Sequence, residues 1–293
     1  MTQPPAFAPA HDDEAPQDAI ARIEGLSEVC HTAFDGGQMV WHVWGEGTPL
    51  VLLHGGYGSW MHWIQNLPVL AGRFQVFAVD MPGFGASGDM PEPHNAEHIA
   101  KLVSAGIDEI VPKDKPIHMA GFSFGGIIGG NVAPLQGERL ISHTFSGSSG
   151  MGLTRNTLEP FVSWRKAEMP EARKEAHRKN LEILMIADPA KIDDLALYIQ
   201  DWNTQRGRVK SHLIGHADNL SEALSQTKGR LMGLYGNCDA YAKGHLHERV
   251  TYLSGFQTNL IFRELEGAGH WGCYESPDAF NKNYFEMIDE VEA

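Results

Sequence analysis

Short apolar runs, each closed by glycine or a polar turn, recur along this chain. Phe74–Val79, Pro116–Ala120, Leu140–Phe145, Leu231–Tyr235 and Leu260–Leu265 are strand-like runs with polar interruptions, and Pro49–Leu53 is continuous rather than alternating. That is the signature of strands buried on both faces. Val29–Phe34 and Gln38–Trp44, separated by Asp35-Gly36-Gly37, predict a hairpin ahead of them. Helical spacing falls between the runs. Glu97–Val111 sets Ile99, Leu102, Val103, Ile107 and Ile110 on one side, and Trp60–Leu70 and Pro277–Val291 read as further helices. Alternating strands and helices predict an α/β protein whose mostly parallel eight-stranded sheet is covered on both faces.

The pattern changes in the middle. From about Thr154 to Ser225 no buried-strand run occurs. Glu159–Ala187 carries interleaved charges and stops at Asp188-Pro189, and Lys191–Asn203 predicts another helix. We read 150–216 as a helical cap inserted after the sixth strand, with 28–149 and 217–293 forming one core. Residues 1–27 open with Pro4, Pro5, Pro9, an acidic run at Asp12–Glu14 and Pro16. This predicts a flexible tail.

Composition narrows the function classes. A formal net charge of −14, with acids spread along the chain, argues against nucleic acid and against an anionic membrane surface as partners. Cys30, Cys238 and Cys273 have no zinc-like spacing and do not suggest a disulfide framework. No apolar run approaches the roughly 18 residues of a membrane span. The first twenty residues lack both a basic and an apolar signal region, so a cytoplasmic protein is expected. Homo-oligomer formation stays open, because the sequence does not separate exposed from buried aromatics.

Candidate chemistry centres on Gly121-Phe122-Ser123-Phe124-Gly125-Gly126, between an apolar strand and the small-residue helix Ile127–Ala133. A serine on a glycine-bracketed strand-to-helix turn is the setting of a nucleophile elbow. Glycines spare the turn a Cβ clash, and the following helix aims its N–H groups at a forming oxyanion. Serine needs a base, and the base an orienting carboxylate. Asp239 follows the Leu231–Tyr235 strand and His270, in Gly267-Ala268-Gly269-His270-Trp271, follows the Leu260–Leu265 strand. Both therefore fall where open parallel sheets collect active residues, beyond strand carboxyl ends. Asp201, Glu264 and Glu266 are rival carboxylates without that position, and none stands at Ser146-Gly147.

These stretches, with Leu53-His54-Gly55-Gly56-Tyr57-Gly58 and Asp80-Met81-Pro82-Gly83-Phe84-Gly85, resemble the α/β-hydrolase superfamily in its serine-nucleophile, capped branch. The resemblance covers about residues 28–293. It implies backbone oxyanion donors at Gly56 and Phe124, with no metal and no cofactor. Serine in place of aspartate at the elbow departs from dehalogenase and epoxide-hydrolase relatives. The expected reaction is cleavage of a small or medium, largely apolar carbonyl substrate, with a carboxylic ester first. Carbon–carbon cleavage of ring-fission diketones, perhydrolysis and a non-catalytic ligand-binding role are the alternatives. Tyr57, Trp60, Trp164, Trp202 and Trp271 are candidate pocket residues, and Arg206 and Arg208 candidate anchors for a substrate carboxylate. His54 and Asp80 read as structural, Cys238 and Cys273 as small hydrophobes, and His245-x-His247 as part of a surface helix.

Overall fold

The computed structural model describes residues 7–10, 14–215 and 217–293. Eight strands form one sheet: β1 (Glu28–Phe34), β2 (Gly37–Trp44), β3 (Thr48–Leu53), β4 (Phe74–Asp80), β5 (Ile117–Phe122), β6 (Leu140–Ser146), β7 (Arg230–Gly236) and β8 (Ile261–Leu265). Their spatial order is β1-β2-β4-β3-β5-β6-β7-β8. The β1–β2 hairpin and the β2–β4 pair are antiparallel, and every later pairing is parallel. From β3 the chain steps outward to β4, then returns to lay β5 on the other side of β3, with Leu53 opposite Gly121. The order thus reverses at β3 and β5. Their carboxyl ends border the crevice where open α/β sheets bind ligands.

The central strands are buried along almost their whole length, as continuous apolar runs require. One face packs Leu50, Leu52, Val76, Ala78 and Phe122 under Trp63, Leu67, Trp271, Phe280 and Tyr284. The other sets Val51, Leu53, Val79 and Met119 under Ile99, Val103 and Ile107 of the helix Ala96–Ile110 and Ile128 and Val132 of the helix Phe124–Gln136. The predicted Trp60–Leu70 helix is instead two short turns, Trp60–Trp63 and Leu67–Leu70, because Pro68 cannot continue a helix in its interior.

Between β6 and β7 the described residues form helices and one isolated bridge, Met151 to Asp218. The main helices are Pro170–Asn180, running into a wider turn at Leu181–Met185, and Asp194–Arg206. The first begins well after the expected Glu159, at the proline suited to a first helical position. His216, where the expected cap ends, lies outside the described residues.

The amino-terminal expectation needs correction. Positions 1–6 and 11–13 lie outside the described residues, but Pro16–Glu24 is a helix, not flexible tail. Ala19 and Ile23, one helical turn apart, are buried, and the Trp44 indole N–H donates to the Ile23 carbonyl at 2.8 Å. A proline at the helix start and this narrow apolar stripe outweigh the acidic composition around them. Ile23→Ala should therefore cost about 2–5 kcal/mol in urea unfolding, the range for an emptied core site. A loss below about 0.5 kcal/mol, the range of exposed positions, would show the helix to be loosely held.

Candidate active site

The turn after β5 is built by exclusion. Ser123 has φ 51° and ψ −112°, a conformation L-residues rarely adopt, and its N–H donates to the Ser146 carbonyl at 2.8 Å. A Cβ on Gly121 would lie 2.3 Å from the Gly125 carbonyl oxygen, and one on Gly125 would lie 2.3 Å from that of Leu53. One on Gly126 would run into the Ser148 hydroxyl. Only glycine fits these close approaches. They bring the turn down onto the end of β3 and lift the serine above it.

The loop after β3 is pinned from below by two histidines. His54 Nε2 accepts the Met81 N–H at 3.0 Å, which leaves Nδ1 to donate to the Gly55 carbonyl at 2.7 Å. Burial lowers the His54 pKa to about 4, so the ring is neutral and structural. His62 Nδ1 accepts the Gly55 N–H at 3.1 Å, and burial also holds that ring well below the usual histidine range. Tyr57 takes a left-handed φ of 49° at the loop's tip. Gly56 lies beside the elbow helix: a Cβ there would be 3.8 Å from the Phe124 Cβ and 2.4 Å from the Ser211 hydroxyl. Asp80 accepts the Trp60 and Ala86 N–H groups, both at 2.8 Å, the turn-forming role expected of it.

Two further loops bring in the acid and the histidine. They are stitched together: Cys238 N–H donates to the Ala268 carbonyl at 2.9 Å, and Gly267 N–H to the Asn237 side-chain oxygen at 2.9 Å. His270 Nε2 stands 2.9 Å from Ser123 Oγ, and its Nδ1 stands 2.8 Å from Asp239 Oδ2. The second carboxylate oxygen of Asp239 accepts the Tyr241 N–H at 2.8 Å. Asp239 and His270 are buried while Ser123 is half-buried. Gly147 leaves space at the end of β6, where a Cβ would lie 3.4 Å from His270 Nδ1. Of the rivals, Glu264 is exposed on β8 and the other two are engaged elsewhere. Asp201 holds Arg173 and His177, and Glu266 accepts from Asn237.

The expected pocket residues scatter. Tyr57 stands in the loop after β3, its ring stacked on His212. Trp60 and Trp271, expected in the pocket, are core residues instead. Trp60 packs against Trp44 and His42, while Trp271 stacks on Tyr274 and donates from its indole to the His62 carbonyl at 2.9 Å. An indole with one polar atom is satisfied well inside a core when a carbonyl is in reach. Trp164 lies among Arg165, Arg173 and His177, and Trp202 lies under Arg206. Arg173, His177 and Asp201 line a surface cavity of about 480 Å³ together with Pro16, and none of Ser123, Asp239 or His270 reaches it. Arg208 is occupied by Asp89 and the Ser87 carbonyl. Cys273 is buried, which pushes its thiol pKa up and away from reactivity.

A model of the alpha/beta hydrolase family matches residues 50–283, spanning β3 to the last helix and every residue of this constellation. The chain belongs to the alpha/beta hydrolase family. Curated relatives of this α/β hydrolase include a dihydrolipoyllysine-residue acetyltransferase component of the acetoin cleaving system from Pseudomonas putida. It is 33% identical over 194 residues, covering 58% of this chain and 50% of that protein. The chain thus aligns with half the length of that relative. A 2-hydroxy-6-oxo-6-phenylhexa-2,4-dienoate hydrolase from Burkholderia cepacia is 25% identical over 253 residues, covering 81% of this chain and 86% of its own. A pimeloyl-[acyl-carrier protein] methyl ester esterase from Aeromonas hydrophila subsp. hydrophila is 34% identical over 112 residues, 38% of this chain and 42% of that one. Among the described residues, no helix is long and apolar enough to cross a membrane.

Sequence reading passed over several residues around this site. His62 was one apolar-flanked histidine among 15, and Ser211 lies in a segment without a strand pattern. Glu275, five residues past His270, looks like an ordinary helical charge until its partners are seen.

Proposed function

We propose that this α/β hydrolase is a serine hydrolase working by acyl transfer to water on a small or medium, largely apolar carbonyl substrate, with carboxylic esters first. The supporting observation is the continuous hydrogen-bonded line from Ser123 through His270 to Asp239. His270 Nε2 takes the Ser123 proton as Oγ adds to the carbonyl carbon. The backbone N–H groups of Gly56 and Phe124 receive the oxyanion. His270 then hands its proton to the departing alkoxide, leaving an acyl-serine. Water enters, gives a proton to the same nitrogen, and the acid leaves as Ser123 regains its hydrogen. Asp239 keeps Nδ1 protonated and stabilises the imidazolium between these steps.

Carbon–carbon cleavage of a ring-fission diketone is the second reading, carried by the near full-length similarity to the Burkholderia hydrolase. A fluorophosphonate should form one adduct, on Ser123, and chromogenic short-chain esters should be turned over. Absence of the adduct would remove the nucleophile from the proposal. Turnover of a dienoate ring-fission product with esters untouched would move the assignment to the second reading.

A further inference from the structure

His270 does not hang from β8 alone. The N–H of Gly269, immediately before it, donates to Glu275 Oε2 at 2.6 Å, and the N–H of Trp271, immediately after it, donates to the Met185 carbonyl at 2.7 Å. The same Glu275 carboxylate accepts two N–H groups from the segment between β6 and β7: Ala187 at 3.1 Å and Asp188 at 2.8 Å. Lys191 Nζ adds a bond to the Glu275 carbonyl at 3.0 Å. The approach is tight enough to require glycine at 269, where a Cβ would lie 2.7 Å from the Ala187 nitrogen and 2.9 Å from Glu275 Oε2. Glu275 itself is buried.

Three N–H donors converging on two carboxylate oxygens, away from water, need a residue that only accepts. An uncharged apolar side chain there would orphan all three. A carboxylate in this place does nothing for the hydrophobic core. It joins the two stretches of chain whose separation sets where the imidazole stands.

We propose that Glu275 is a positioning residue for His270, tying the histidine loop to Ala187 and Asp188 so that the inserted segment fixes the imidazole against Ser123. The inference rests on the triad reading but can be separated from it. Glutamine keeps the shape and one acceptor oxygen, yet turns its amide hydrogens toward an N–H. Displacing a reacting group by about 1 Å can cost about 10²-fold in rate.

The test compares wild type, Glu275→Gln and Glu275→Ala, each checked for folding by circular dichroism and thermal melting. Expected are a kcat for ester hydrolysis about 10- to 100-fold lower with KM within about threefold, and an altered pH profile for phosphonylation of Ser123. The His270 Nδ1–H proton resonance should also move or broaden. If Glu275→Ala does not fold, Glu275→Gln carries the comparison. Variants that lose melting temperature but keep kcat per folded molecule, the pH profile and the resonance would overturn the proposal. Should wild type fail to react with the phosphonate, the acyl-transfer reading falls. The resonance then decides the positioning role alone: displaced in Glu275→Gln it stands, unmoved it fails.

Discussion

Ser123→Ala is expected to leave a folded protein whose ester hydrolysis is lower by about 10⁴- to 10⁶-fold, the scale on which losing a triad nucleophile acts. A second substitution makes the result diagnostic. Ser123 sits at φ 51° and ψ −112°, held there by its N–H bond to Ser146 and by the three glycines packed beneath it. Holding an L-residue in so sparse a region costs about 1–3 kcal/mol. Ser123→Ala keeps the Cβ and hence the strain. Ser123→Gly abolishes it, offset by about 0.4–1 kcal/mol of extra freedom in the unfolded chain. The glycine variant should therefore be inactive and more stable than the alanine variant by about 1 kcal/mol. Urea unfolding of both decides it. The reverse order would mean the turn holds no strain, and near-normal turnover in either would take Ser123 out of the chemistry.

Strain of this kind explains why the elbow could be read from sequence. Gly121, Gly125 and Gly126 bracket a serine because backbone and hydroxyl atoms leave no room for a side chain, and that constraint is written in residue type. The strands were legible for a similar reason. Burial on both faces demands mostly apolar runs, so β3, β4 and β5 appear within two residues of their observed ends. Asp239 and His270 could be placed because each lies in the loop just past a strand-like run.

What escaped the sequence depends on partners far along the chain. The Pro16–Glu24 helix is fastened by Trp44, which no local pattern around Ile23 announces. Apolar rings carry no address: Trp60 and Trp271 are as suited to a pocket as to the core, and the nearby Trp44 and Tyr274 rings fix their place. Glu275 takes two of its three backbone donors from residues 87 and 88 positions earlier, in a segment whose own pattern predicts only helices with charged faces. The central strands and the glycine-bracketed serine turn were local facts. The lining of the site and the support beneath its histidine are tertiary ones.

The carboxylate gives the other large effect. Asp239→Asn should lower kcat/KM by about 10³- to 10⁴-fold with little change in volume. In the native arrangement Oδ2 accepts from His270 Nδ1 and Oδ1 accepts the Tyr241 N–H, so the side chain must accept on both sides. Asparagine accepts on one side only. The Tyr241 N–H is a fixed backbone donor, whereas the imidazole can exchange tautomers, so the amide oxygen should turn to Tyr241 and the amide nitrogen to His270. Nδ1 must then accept, which puts the ring proton on Nε2, facing Ser123 Oγ at 2.9 Å. The base is present but already protonated where it should receive. Loss should therefore appear in the acylation rate with fluorophosphonate as well as in ester turnover, while thermal melting changes little. An unaltered acylation rate would show that another group orients His270, and would leave Asp239 a structural acceptor for the Tyr241 turn.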